Sequence, residues 1–191
     1  MSTDLNLGLI YGSARPGRMC DTVADWVKRR MAEWLVANID IIDPADPVVA
    51  AAVGEQASGR EHLAIRIDHC DAFIVVTREY NHSFPAPLKA VIDSAKDEWA
   101  AKPVAFVSYG GFSGGIRAVE QLRLVFAELH AVGIRDGVSF MNVSRAFDSG
   151  GEPVDNRNPA NALELMLKRL AWWANALKRA RAERSYFEPR T

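Results

Sequence analysis

Short, almost unbroken apolar runs alternate along the chain with longer segments in which apolar residues return every three or four positions. Four runs, at residues 7–11, 71–77, 103–109 and 137–142, read as strands buried on both faces. A fifth, at 39–43, is shorter and more polar, as an edge strand can be. Between them Val23, Val27, Met31 and Leu35 repeat every four residues. Leu88, Ile92 and Ala95 do likewise behind Pro85, which suits a first helical turn. Val119, Leu122, Phe126 and Leu129 alternate steps of three and four, with Glu120, Gln121 and Arg123 facing outward. The last helix is marked by Asn158 as a cap, Pro159 after it, and a stripe of Leu163, Met166, Leu170, Trp173 and Leu177. Strand and helix alternate five times, a pattern that predicts an α/β fold with a parallel, doubly wound sheet covered on both faces. Residues 46–59 read as a loop with room for a short helix, 144–158 as a second long loop, and 185–191 as a tail. No repeat or low-complexity tract divides residues 1–184, which are expected to form a single domain.

In a five-stranded sheet of order 2-1-3-4-5, ligands bind beyond the carboxyl ends of the first and third strands, where the strand order reverses. The unusual residues cluster there. After the first strand comes Gly12-Ser13-Ala14-Arg15-Pro16-Gly17-Arg18, leading into a helix. The glycines allow a tight turn, the helix start offers free N–H groups to an anion, and Ser13, Arg15 and Arg18 can grip phosphate oxygens. The glycine spacing also matches the opening of a nucleotide-triphosphate loop. Arg18-Met19 stands where Lys and Ser or Thr should follow, so the lysine and magnesium-binding hydroxyl of that loop are missing. After the third strand comes Thr77-Arg78-Glu79-Tyr80-Asn81-His82-Ser83-Phe84-Pro85, where Asn81 offers an amide to a ring edge and Tyr80 a flat face and a hydroxyl. After the fourth comes Ser108-Tyr109-Gly110-Gly111-Phe112-Ser113-Gly114-Gly115, whose glycines can bring backbone N–H groups close to a ligand. Plainer readings stand beside these: a helix-capping Ser13 with solvated arginines, a capping loop at Asn81 or Ser83, and a flexible glycine loop.

Charge narrows the classes. Against 23 basic residues stand 24 acidic ones, so no basic excess points to nucleic acid. The one basic cluster, Lys178, Arg179, Arg181 and Arg184, reads as the solvated end of a helix. Cys20 and Cys70 are far apart, which suits a reducing compartment rather than a disulfide framework. The first residues lack a signal-peptide pattern and no apolar run approaches a membrane span, so a cytoplasmic protein without membrane contact is expected. The four histidines match no metal spacing. Ser113 is followed directly by glycine, outside the nucleophile-elbow pattern. Trp172 and Trp173, adjacent on a helix, cannot both face one core stripe, and Trp26 and Trp34 add bulk beside another. Such surplus aromatic surface predicts an interface.

The three loops together resemble the NADPH-dependent FMN reductase family, in order and spacing, from about residue 7 to 132. The resemblance implies a flavodoxin-like fold, FMN held non-covalently, NADPH as electron donor, and a homodimer or homotetramer. It implies that Ser13, Arg15 and Arg18 hold the FMN phosphate, and that Glu79, Tyr80, Asn81, Ser108, Gly110 and Gly111 hold the flavin ring. Four positions depart from the family's usual pattern: Arg78 replaces a proline, Arg18 and Cys20 replace the Ser and Asn of many members, and Ala90 replaces an asparagine. The implied activity is hydride transfer from NADPH to flavin and on to a small acceptor such as a flavin or quinone. No catalytic side chain is nominated, since the cofactor carries that chemistry. The alternative is a flavodoxin-like electron carrier or flavin-binding partner module without its own reductase activity. Such carriers tend to have a hydroxyl-rich phosphate loop and a strongly acidic surface, unlike this chain.

Overall fold

The computed structural model describes residues 5–34, 37–53, 57–155 and 157–187. The elements follow the expected alternation: β1 (Leu5–Tyr11), α1 (Met19–Trp34), β2 (Ala37–Ile42), α2 (Pro47–Val53), α3 (Ala57–His69), β3 (Ala72–Arg78), α4 (Ala86–Ile92), β4 (Pro103–Tyr109), α5 (Ile116–Glu128), β5 (Val132–Phe140) and α6 (Arg157–Glu183). The strands form one parallel sheet of order β2-β1-β3-β4-β5, as the sequence predicts.

Successive residues of each inner strand feed opposite cores, because side chains alternate across a sheet. Leu7, Leu9, Ile74, Val76, Ala105 and Val107 pack under α1 and α6. Ile10, Phe73, Val75, Val104 and Phe106 pack under α2 to α5. In the second core Trp99 stacks between Phe73 and Phe126, with ring centres 4.6 and 5.4 Å away. Its Nε1 donates to the Ile92 carbonyl at 3.0 Å, so the indole is buried with its polar atom satisfied.

Several expectations are corrected. The segment at 46–59, read as a loop with room for a short helix, holds that helix as α2 and also the start of α3; among its described side chains α3 buries Leu63 and Ile67, packs Ala64 partly against the core and turns Ile65 outward. The fifth strand begins at Val132, five residues before the apolar run. It is an edge strand whose residues alternate between buried and exposed, and its register shifts beside Val104 and Phe106. Leu35, expected to end the first apolar stripe, lies outside the described residues. Along α6 the core takes Leu163, Met166, Leu167, Leu170 and Ala174, while Trp173 turns partly to solvent.

Trp26 belongs wholly to the core, edge-on to Phe140 at 5.3 Å. The basic cluster is not simply solvated. Lys178 and Arg181 both reach the buried Asp71, and Arg181 also donates to the Ala101 carbonyl at 2.6 Å, which ties α6 to the sheet. The tail begins by docking: the Tyr186 hydroxyl lies 3.0 Å from His130 Nδ1. Among the described residues no helix is long and apolar enough to cross a membrane.

Candidate functional site

The sheet brings the three unusual loops to one crevice, at the carboxyl ends of β1, β3 and β4. The first loop starts with a close approach. The Gly12 N–H donates to the Val76 carbonyl at 2.7 Å, and a Cβ on Gly12 would stand 2.7 Å from that same oxygen. Glycine is required there by the β1–β3 contact itself. Gly17 then turns at φ +65° and α1 begins at Met19, so Ser13 is not the cap of that helix.

Ser13 is buried and its hydroxyl has no hydrogen-bond partner. Leaving a buried hydroxyl unsatisfied costs about 1–3 kcal/mol. The N–H groups of Ser13, Ala14 and Arg15 likewise donate to nothing among the described residues. Arg15 is exposed and reaches across the crevice to donate to the Tyr80 hydroxyl.

Arg18 was expected beside Arg15 as a phosphate grip, but its guanidinium is turned the other way. It forks onto the Asp43 carboxylate at the end of β2. It also donates to Asp21 at 2.8 Å and to the Ser13 carbonyl. The side chain is only 8% exposed. Its donors are spent on holding the loop against β2 and α1, and the sequence could not show this because Asp43 stands 25 residues away.

The second loop is a tight turn. Tyr80 and Ser83 exchange two backbone hydrogen bonds of 2.8 Å around Asn81 and His82, which sit at φ +46° and +73°. Two left-handed central residues make a type I′ turn, a conformation asparagine tolerates well. Gln121 of α5 fastens the turn, accepting from Ser83 and donating to the His82 carbonyl at 2.8 Å. Asn81 is exposed and its amide is unpartnered among the described residues, so it is free to meet a ring edge. Arg78 stacks over the Tyr80 ring, 4.1 Å from its centre.

Glu79 is spent inside the protein. Its carboxylate accepts from Ser113 at 2.6 Å and pairs with Arg117 at 2.7 Å, which joins the second loop to the third. Burial pushes its pKa upward, but the hydrogen bonds from Ser113 and Arg117 outweigh it and hold the carboxyl below the ordinary range. A depressed folded pKa stabilises above the unfolded value of about 4.3. That contribution is lost as pH falls through the lowered folded pKa. Glu79→Gln should therefore melt at lower temperature than the wild type at neutral pH, and the gap should close on acidification; a gap that widens in acid would contradict the pairing.

In the third loop the Gly110 N–H is taken by the Phe140 carbonyl at 3.1 Å. The next three N–H groups, of Gly111, Phe112 and Ser113, make no bond among the described residues. Of the two glycines expected here, Gly111 keeps a donor for a ligand and Gly110 does not. Ser108 is buried at the end of β4. Below the crevice, burial pushes the Cys20 thiol up to about 11, so it is neutral and unreactive at ordinary pH.

A parallel 2-1-3-4-5 sheet with polar and glycine-bearing loops gathered at its switch point defines the flavodoxin-like class. Within that class the family model of NADPH-dependent FMN reductase matches residues 5–145, and the chain belongs to this family. It is 35% identical over 121 residues to an NAD(P)H-dependent FMN reductase of Schizosaccharomyces pombe, a match covering 56% of this chain and 58% of that protein. It is 33% identical over 140 residues to an NAD(P)H-dependent FMN reductase of Saccharomyces cerevisiae, covering 63% of this chain and 73% of that one. More than a third of the Schizosaccharomyces protein's length is thus left unmatched. In fold, the chain resembles the flavoenzyme NAD(P)H:(acceptor) oxidoreductase of Paracoccus denitrificans. The TM-score is 0.71 at 19% identity, covering 90% of this chain and 98% of that one.

Proposed function

We propose that the chain is an NAD(P)H-dependent FMN reductase that binds FMN non-covalently in the crevice and hands electrons to a small acceptor such as a flavin or quinone. One observation carries the reading. Ser13 Oγ is buried without a partner, next to three N–H groups that make no bond among the described residues and to Arg15, which pairs with no carboxylate among them, in the loop between β1 and α1. Such a set suits a phosphate monoester, which carries between one and two negative charges near neutral pH.

Residues 13–15 would hold the phosphate, with Arg18 bracing the loop from behind. Tyr80, Asn81 and the Gly111 and Phe112 N–H groups would take the ring and its polar edge. Glu79 and Ser108 would act by shaping the loops, Glu79 through Ser113 and Arg117. FMN, when bound, supplies the two-electron chemistry, accepting a hydride from NADPH and passing the electrons on. The protein contributes position, exclusion of water and the field of fixed dipoles. The test of the reading is FMN-dependent NADPH oxidation by the purified protein, coupled to reduction of an added quinone or flavin. No FMN binding at tens of micromolar would defeat it.

The two buried free thiols fit a reducing compartment, and we place the protein in the cytoplasm. We also propose a homodimer or homotetramer using the outer face of α6, where Trp172 is 63% exposed. Its ring packs edge-on against Trp173 at 5.2 Å, and exposed aromatic side chains of this kind commonly mark an interface. Light scattering at micromolar concentration should give a multiple of the chain mass, and Trp172→Glu should lower it. A wild-type monomer would contradict the proposal.

A further inference from the structure

Two cations at the crevice, Arg15 and Arg78, have no carboxylate within ion-pair distance among the described residues. The neighbouring arginines are neutralised, Arg18 by Asp43 and Asp21 and Arg117 of α5 by Glu79. Both free guanidinium groups converge on one ring. Arg78 lies 4.1 Å from the Tyr80 ring centre, and Arg15 lies 5.9 Å from it. They hold that ring by different handles: Arg78 covers its face, while Arg15 donates to its hydroxyl.

The Tyr80 backbone is already fixed by the turn to Ser83, so what remains free is the direction of its side chain. A guanidinium stacked on the ring removes much of that freedom, and the hydroxyl then presents one acceptor at a set place. Arg15 is a long exposed side chain, and by itself it would lose rotamer freedom on gripping an anion. Held at one nitrogen by Tyr80, it has less to lose and keeps its other donors for phosphate. The Arg78 charge also extends inward, since it acts together with Arg18 to oppose the rise that burial imposes on the Tyr109 phenol.

We propose that Arg78 and Tyr80 are positioning residues for the phosphate end of the bound flavin nucleotide: Arg78 stacks Tyr80 into place, and the Tyr80 hydroxyl holds Arg15 over the 13–15 loop. The proposal rests on the FMN reading above. It makes the phosphate grip a three-residue arm, Arg78 to Tyr80 to Arg15, which draws on loops after β3 and β1 and so spans the switch point.

A double-mutant cycle on the full chain tests it, with FMN and riboflavin as the two probes. The variants are Arg78→Ala, Tyr80→Phe and Arg15→Ala, singly and with each of the first two paired to the third. Arg78→Ala and Tyr80→Phe should each weaken FMN binding about two- to fivefold, the range of a partly exposed cation–ring contact. Riboflavin binding should fall less than FMN binding, and in the Arg15→Ala background the excess loss for FMN should disappear. Losses that persist undiminished beside Arg15→Ala, that fall equally on riboflavin, or that never appear would overturn the proposal. Tyr80→Phe keeps the ring and the turn, so it decides the matter even if Arg78→Ala folds poorly. A wild-type protein that binds neither flavin would instead defeat the underlying FMN reading, and the proposal with it.

Discussion

Arg15→Ala is expected to lower FMN affinity by about one to two orders of magnitude while leaving riboflavin affinity almost unchanged. Arg15 is exposed, and among the described residues it makes no ion pair and its one side-chain hydrogen bond is to the Tyr80 hydroxyl. A charge-assisted bond to phosphate contributes about 1.5–3 kcal/mol, and each 1.4 kcal/mol or so is a factor of ten. Riboflavin has no phosphate for the arginine to hold. The fold should survive, because nothing in the core depends on an exposed loop side chain. Titration of both flavins, followed by fluorescence or calorimetry, makes the comparison. Equal losses would mean that Arg15 shapes the loop, and no loss would return it to the solvent.

Gly12→Ala should damage both stability and binding. The added Cβ would stand 2.7 Å from the Val76 carbonyl oxygen and 3.0 Å from the Thr77 Cα. Both are backbone atoms of the neighbouring strand, which cannot rotate aside as a side chain does. Overpacking of this kind costs about 1–3 kcal/mol, a fall in melting temperature of roughly 2–12 °C for a chain of this size. The relief is to push β1 from β3 at the switch point, which moves the phosphate loop against the ring loop. Misplacement by about 1 Å can cost a hundredfold where geometry matters, so FMN and riboflavin should both bind at least tenfold more weakly. Unlike Arg15→Ala, this variant should not discriminate between them. Thermal melts and the same titrations measure it; wild-type stability would show that the β1–β3 approach relaxes freely.

The fold was legible because its inner strands are buried on both faces and so carry continuous apolar runs. What escaped was polar or long-range. Among the described side chains the α3 helix buries Leu63 and Ile67 and packs Ala64 partly against the core, with Ile65 turned outward, so its sequence shows little helical stripe. The first half of β5 holds Gly133, Arg135 and Asp136, because an edge strand exposes alternate residues and its periodicity is diluted. Trp26 and Trp172 look equally surplus in sequence, yet one fills the space beside Phe140 and the other faces solvent.

At the site, the positions were legible and the duties were not. Three glycine-bearing or polar loops at the ends of three strands mark the crevice, and the topology brings them together. Which arginine is free is decided by acids that the sequence places elsewhere: Asp43 takes Arg18, and Glu79 takes Arg117. Arg78 departs from the family's usual proline, and only the structure shows it stacked on Tyr80. The spent carboxylate of Glu79 has the same origin, since its partners Ser113 and Arg117 come from a loop and helix beyond β4.

The central claim is that the crevice holds FMN and that NADPH delivers electrons to it there. Anaerobic rapid mixing of the FMN-loaded protein with NADPH tests it most directly, read by the visible absorbance of oxidised flavin. The account predicts that this absorbance is lost on mixing and returns when quinone or free flavin is added. A protein that binds FMN but leaves it oxidised under excess NADPH would contradict the reductase reading and favour a carrier that is reduced by a partner.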